Sequence, residues 1–381
     1  MYRSAFPILI ALGATGMSTN ANATPGRVSQ GVEATYQVAS PKPQEAIDLR
    51  FSGTALSTVA KLTFSPDSRY LAIVESTDLA KTDIVIWDLL LGKQQARIHC
   101  PSDYAALPDH DLLWSHDGTV ISFGAKRQWS PITGEALPDN PAIGRSARLN
   151  KDGTKMLTIV GAIGAPSYIH VYDTRTWELE RLYADGLFVE RAAWTSDDKV
   201  LVAASVTKET FGRTLDGHVI TQWKDSALRV LDPSKKEPTK AVWFPAIPRN
   251  DKKSPFGYGF PIGSNMRSNF PRHQIYLEAG FVIDTKTLDI HRYSSFDKDD
   301  AAPGAFGMGF SPDGRLLYLK GASFSHGGHA PIKNSIVDVI SGQPLLEFDG
   351  ATDHQGSLAV SPNGQHLALG SGHSVMVFKL Q

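Results

Sequence analysis

One short turn recurs along this chain, and it constrains the fold more than any other feature. It reads Ser65-Pro66-Asp67-Ser68 and returns as Ser311-Pro312-Asp313-Gly314 and Ser361-Pro362-Asn363-Gly364. Weaker copies are Ser115-His116-Asp117-Gly118, Asn150-Lys151-Asp152-Gly153 and Thr195-Ser196-Asp197-Asp198. Proline presets φ for the first central position of a type I turn, Asp or Asn bonds its own backbone, and Gly tolerates positive φ. The clear copies lie between apolar runs, such as 61–64 and 70–74, so each reads as a β-hairpin.

The turns start at 65, 115, 150, 195, 311 and 361, with gaps of 50, 35, 45, 116 and 50. The gap of 116 holds two units, one of them hidden. Its later strands are expected within 273–293, including Phe281-Val282-Ile283-Asp284. The repeat matches the length of a four-stranded propeller blade. The expected fold is all-β, a seven-bladed β-propeller, with six to eight blades permitted. Stacked blades bury both faces of most strands, which explains near-continuous apolar runs in place of clean alternation.

Two ends of the pattern are incomplete. Residues 374–380 read as a third strand with no fourth after it. Residues 46–51 form an alternating strand that belongs to no unit. The expectation is that this N-terminal strand completes the last blade, because closure removes exposed strand edges.

The first 23 residues read as a signal peptide: Arg3, an apolar run over 6–14, then Ala21-Asn22-Ala23 as a small-x-small site. The alternative is a buried first element. Residues 24–43 read as a flexible lead-in and 44–381 as one propeller domain. Location is therefore expected to be periplasmic or secreted, without a membrane span. The net charge of −1 gives no global reason to expect nucleic acid as a partner. Cys100 is the sole cysteine, so no intramolecular disulfide can form, and a small half-buried apolar role is expected for it.

The Ser-Pro-Asp-Gly-type turns, together with Ile86-Trp87-Asp88, make the chain resemble WD-repeat and related bacterial propellers, including the periplasmic Tol-system propeller. The resemblance covers about residues 45–381 and implies the propeller fold. The Trp-Asp pair occurs once; Tyr172-Asp173, Leu231-Asp232 and Ile283-Asp284 stand in the corresponding places. The Gly-His pair that opens such repeats is absent at its usual offset, so their Asp-His-Ser-Trp network is not carried over.

Long insertions fall at 207–225, 246–272 and 322–334, and strand alternation sends all three to one face. Long loops on a rigid scaffold are where binding usually resides. They carry Phe211, His218 and Trp223; Phe256, Tyr258 and Arg267; and Phe324, His326 and His329. Aromatic and Arg side chains commonly anchor recognition surfaces. The alternative is that the aromatics fold inward and pin their own loops.

No hydrolase elbow, zinc-protease helix or phosphate loop is present in the sequence. His326 and His329 are spaced to ligate a metal, but a site needs three or four converging ligands. No catalytic residue, metal or cofactor is assigned. The expected function is a non-catalytic binding or scaffold module for a protein, peptide or glycan of the envelope, as a monomer. The alternatives are a propeller hydrolase or lyase, metal-assisted or not, at the axial channel, and an accessory chain of an exported redox complex.

Overall fold

In the computed structural model the described residues are 44–50, 58–78, 81–100, 111–123, 126–142, 144–161, 167–183, 188–213, 219–232, 240–243, 266–277, 281–292, 304–322, 334–348, 357–371 and 374–380. They fall within one compact unit, Ser40–Gln381.

Seven antiparallel four-stranded sheets form a seven-bladed β-propeller. A single strand, β1 (Gln44–Arg50), comes first. Blade 1 is β2 (Thr58–Phe64), β3 (Tyr70–Asp78), β4 (Lys81–Asp88) and β5 (Lys93–His99). Blade 2 is β6 (Leu112–Trp114), β7 (Ile121–Phe123), β8 (Arg127–Trp129) and β9 (Ala136–Leu137). Blade 3 is β10 (Arg145–Leu149), β11 (Lys155–Val160), β12 (Tyr168–Asp173) and β13 (Leu179–Tyr183). Blade 4 is β14 (Phe188–Trp194), β15 (Val200–Arg213), β16 (Val219–Leu231) and β17 (Lys240–Trp243). Blade 5 is β18 (Met266–Asn269), β19 (Gln274–Leu277), β20 (Phe281–Asp284) and β21 (Ile290–Arg292). Blade 6 is β22 (Gly304–Phe310), β23 (Leu316–Ala322), β24 (Asn334–Asp338) and β25 (Pro344–Phe348). Blade 7 is β26 (Leu358–Val360), β27 (His366–Ser371) and β28 (Ser374–Lys379), and β1 pairs with β28 as its fourth strand. The ring is thus closed by chain from its far end, as the orphan strand implied.

The recurrent turn folds through side-chain chemistry. In the first copy the Ser65 hydroxyl donates to Asp67 Oδ1 at 2.5 Å, the Arg69 amide donates to the same oxygen, and the Tyr70 amide donates back to Ser65 Oγ at 2.8 Å. Ser311-Asp313 and Ser361-Asn363 repeat this set. The fourth turn residue takes positive φ, +70° at Gly314 and +71° at Gly364. That conformation suits glycine. Ser68 and Asp198 adopt it without that freedom, at +64° and +56°. Blade 5 hides its turn because Phe270–Arg272 forms a 3-10 turn there, with His273 at φ +56°.

Seven apolar clusters hold the described residues together, and side chains from successive blades meet in each of them. Strand periodicity explains the division, since alternate residues point to opposite sheet faces. In β4, Ile84 and Ile86 join Leu112, Trp114 and Ile121 of blade 2, whereas Val85 joins Val375 and Val377 of blade 7. The interface between blades 2 and 3 has the smallest cluster, where Leu113 packs on Ala147, Met156 and Tyr172. Blade 2 has the shortest strands, and a cavity of about 380 Å³ opens beside it, lined by Trp114, His116, Met156, Arg175 and Trp177 among others.

Candidate functional site

The innermost strands of a propeller line its axis, and here they carry charge. Counting back from the turn residues Ser65, Ser115 and Thr195, the residues four positions earlier are Lys61, Asp111 and Arg191. Two positions before Asn150 and Asn269 stand Arg148 and Arg267. Asn269 is the matching position in blade 5 because it pairs with Gln274 across the turn. All five residues fall on one alternation. The other alternation supplies Leu62 and Phe64, Ala147 and Leu149, and Ala192 and Trp194 to the clusters between blades. The separation is partial, because Leu113 and Ala193, two residues after Asp111 and Arg191, share their alternation and pack between blades.

Local irregularity aims two of them. A register shift separates Val59 from Lys61, and another separates Val189 from Arg191. Such bulges re-aim the following side chain and recur beside functional sites. A shift also lies between Arg145 and Arg148.

Arg148 is the best-fixed member. Its Nη1 pairs with Asp111 Oδ2 across the interface of blades 2 and 3; the two side chains are 17% and 9% exposed. Its backbone carbonyl accepts the Trp194 indole N–H at 3.0 Å, which locks β10 to β14. The Trp114 indole makes the matching bond to the Thr63 carbonyl at 3.4 Å. Arg148 Nε is buried with no hydrogen-bond partner among the described residues.

Electrostatics shows that the five charges share one environment. Burial lowers the Lys61 pKa most; Asp111 opposes that shift, and the positive charges of Arg267, Arg148 and Arg191 lower it further. Residues from blades 1, 2, 3, 4 and 5 act together on one ammonium, and in a ring only the axis allows this. Four of these five groups are cations and one is a carboxylate, in a chain whose net charge is −1.

The structure redraws the expected loops. Residues 207–225 are mostly strand: β15 and β16 pair from Val200↔Leu231 to Arg213↔Val219. Their neighbours stop earlier, β14 at Ser205 and β17 at Ala227. Beyond those points the two strands stand as a ribbon of about eight residues each, roughly 25 Å long. Phe211 lies in β15 and Trp223 in β16. Arg267 belongs to no loop; it is in β18, paired with Tyr276, and is one of the axial cations. Phe270, within the same 246–272 stretch, packs against the cluster of blades 3 and 4. His218, Phe256, Tyr258, Phe324, His326 and His329 lie outside the described residues. Among the described residues no group of three or more His, Cys, Asp or Glu side chains is placed to hold a metal.

The axial residues Lys61, Asp111, Arg148 and Arg191 were not singled out from the sequence. The available signal was a charge inside an otherwise apolar strand, at a constant offset from each turn. No family model matches the chain, and no curated protein matches it.

Proposed function

We propose that this chain is a binding module of the cell envelope, exported by its N-terminal segment, with its recognition surface on the face that carries the blade 4 ribbon. The observation that carries the reading is the ribbon itself. Among the described residues no third strand pairs with it beyond Ser205 and Ala227, and a two-stranded ribbon alone is marginal in water. Its backbone edges suit an extended peptide, which can add as a further strand. The partner is accordingly a protein or peptide segment. The resemblance to periplasmic propellers points the same way.

Photo-crosslinkers placed at Glu209 and Gln222, a cross-strand pair of the ribbon, test the reading in living cells. They should capture one discrete partner, and a crosslinker at Lys151 in the turn on the opposite face should not. Replacing residues 206–225 by Asn-Gly, a two-residue hairpin turn, should abolish co-purification of that partner while the ring still melts cooperatively. Equal capture from both faces, or undiminished co-purification without the ribbon, would overturn the proposal.

A further inference from the structure

We propose that the cavity between blades 2 and 3 is a receptor for a neutral pyranose sugar, which stacks on Trp177 and bonds to Ser122 and Gln128. The inference does not rest on the ribbon, and a variant lacking residues 206–225 should retain it.

Two departures from the repeat meet at this cavity. The first is in blade 2. Ile121 and Trp129 pack towards blade 1, so strand alternation turns Ser122 and Gln128 towards blade 3. Leu113, Ser122 and Gln128 form one row of cross-strand partners, and Leu113 reaches the blade 3 cluster. On the same face blade 1 offers Ala72, Val74, Ile84 and Ile86 to its neighbour, and blade 3 offers Leu157, Ile159, Ile169 and Val171. Blade 2 thus carries a hydroxyl and an amide where those blades carry core. Both side chains line the cavity, and no hydrogen bond ties either to another described residue. Their donors and acceptors are left for an occupant.

The second departure is in blade 3. The turn from the third strand to the fourth puts its fifth residue at positive φ, which is Gly92 at +61°, Gly134 at +76° and Gly342 at +67° in blades 1, 2 and 6. That backbone suits glycine and strains a bulky side chain. Blade 5 places Leu288 there, at +66°, and buries it in the cluster of blades 4 and 5. Blade 3 places Trp177 there, at +58°, half-buried at the edge of its cluster and lining the cavity. Strained residues of this kind gather at ligand sites.

The lining then selects the ligand. A volume of about 380 Å³ suits a small molecule, since such sites run from roughly 300 to 1,000 Å³. Trp177 and Met156 supply an apolar wall from blade 3. A wholly apolar ligand would strand Ser122 and Gln128. Asp117 and Asp152 line the cavity from exposed turns, and the Ser115 and Thr154 hydroxyls hold their carboxyls below the usual carboxylate range. The one guanidinium of the lining, on Arg175, already lies 3.6 Å from Asp173. An anion is therefore disfavoured. Ionised carboxylates only accept hydrogen bonds, so they call for a ligand rich in donors. A pyranose has that form: an apolar C–H face for the indole, and hydroxyls around its edge for the amide, the Ser122 hydroxyl and the carboxylates. A flat heteroaromatic ring offers fewer donors.

The test uses the native chain with glucose, galactose, N-acetylglucosamine and maltose, and separately adenosine, by saturation-transfer NMR and calorimetry. At least one sugar should bind, one molecule per chain. Trp177→Gly gives blade 3 the turn residue of blades 1, 2 and 6, so the variant should still melt cooperatively. It should bind that sugar at least about tenfold more weakly, as loss of an aromatic anchor does. Gln128→Leu puts an apolar residue on the blade 2 face; it too should fold and weaken sugar binding, and it carries the test if Trp177→Gly fails to fold. No binding of any of the sugars, adenosine bound in preference to them, or native-like sugar affinity in either folded variant would overturn the proposal.

Discussion

Substituting Leu49 by Ala probes ring closure with one side chain. Leu49 lies on β1, is 4% exposed, and packs with Val59, Leu62 and Phe64 of blade 1 and with Val375 and Val377 of blade 7. Truncating a buried Leu to Ala costs roughly 2–5 kcal/mol, and the outermost strand of a blade argues for about 3. Unfolding entropy of about 2.1 cal/mol/K per residue gives about 0.7 kcal/mol/K for a ring spanning residues 44–380. The expected fall in melting midpoint is therefore about 4 °C by differential scanning calorimetry. Leu90 is the internal control, 78% exposed in the turn between β4 and β5. Its truncation should move the midpoint by less than about 1 °C. If Leu49→Ala and Leu90→Ala shift the midpoint equally, β1 does not close the ring.

Three titrations supply the remaining predictions. Burial, with nearby positive charge, lowers the Lys61 pKa, so the unfolded chain holds the proton to higher pH and stability should rise as Lys61 deprotonates below 10.5. Lys61→Gln should remove that rise in melts followed at alkaline pH, and a rise that persists in the variant would refute it. Burial also lowers the His170 pKa, so the unfolded chain binds the proton first and stability should drop as pH falls through about 6.5. His170→Gln should flatten that part of the melting-versus-pH curve, and an unchanged slope would contradict the assignment. Cys100 is half-buried beside the cluster of blades 1 and 2, and burial aided by Asp83 pushes its thiol up to about 12. Alkylation at pH 8 should be far slower than for a free thiol, and a rapid reaction would show the side chain to be accessible.

Local chemistry was legible in the sequence, and convergence was not. The turns were readable because their bonds span at most five residues: Ser65 Oγ, Asp67 and the Tyr70 amide all lie within one hairpin. The closing strand was readable because 46–51 alternates and has no unit of its own. Blade 5 was half hidden because Asn269-Phe270-Pro271-Arg272-His273 replaces the usual turn with a 3-10 turn, whose signature differs. The ribbon passed for a loop because, among the described residues, its pairing beyond the blade comes from the hairpin alone. The axial cluster escaped for another reason. Lys61 and Arg267 are 206 positions apart, and only the closed ring brings their charges together.

The most direct test is hydrogen–deuterium exchange of the native chain beside the Leu49→Ala variant. Faster exchange should concentrate on β1 and β28, the two strands joined at the closure, and leave β8, β12 and β20 unchanged. Faster exchange spread evenly over the blades, or none at β28, would contradict a ring closed by β1.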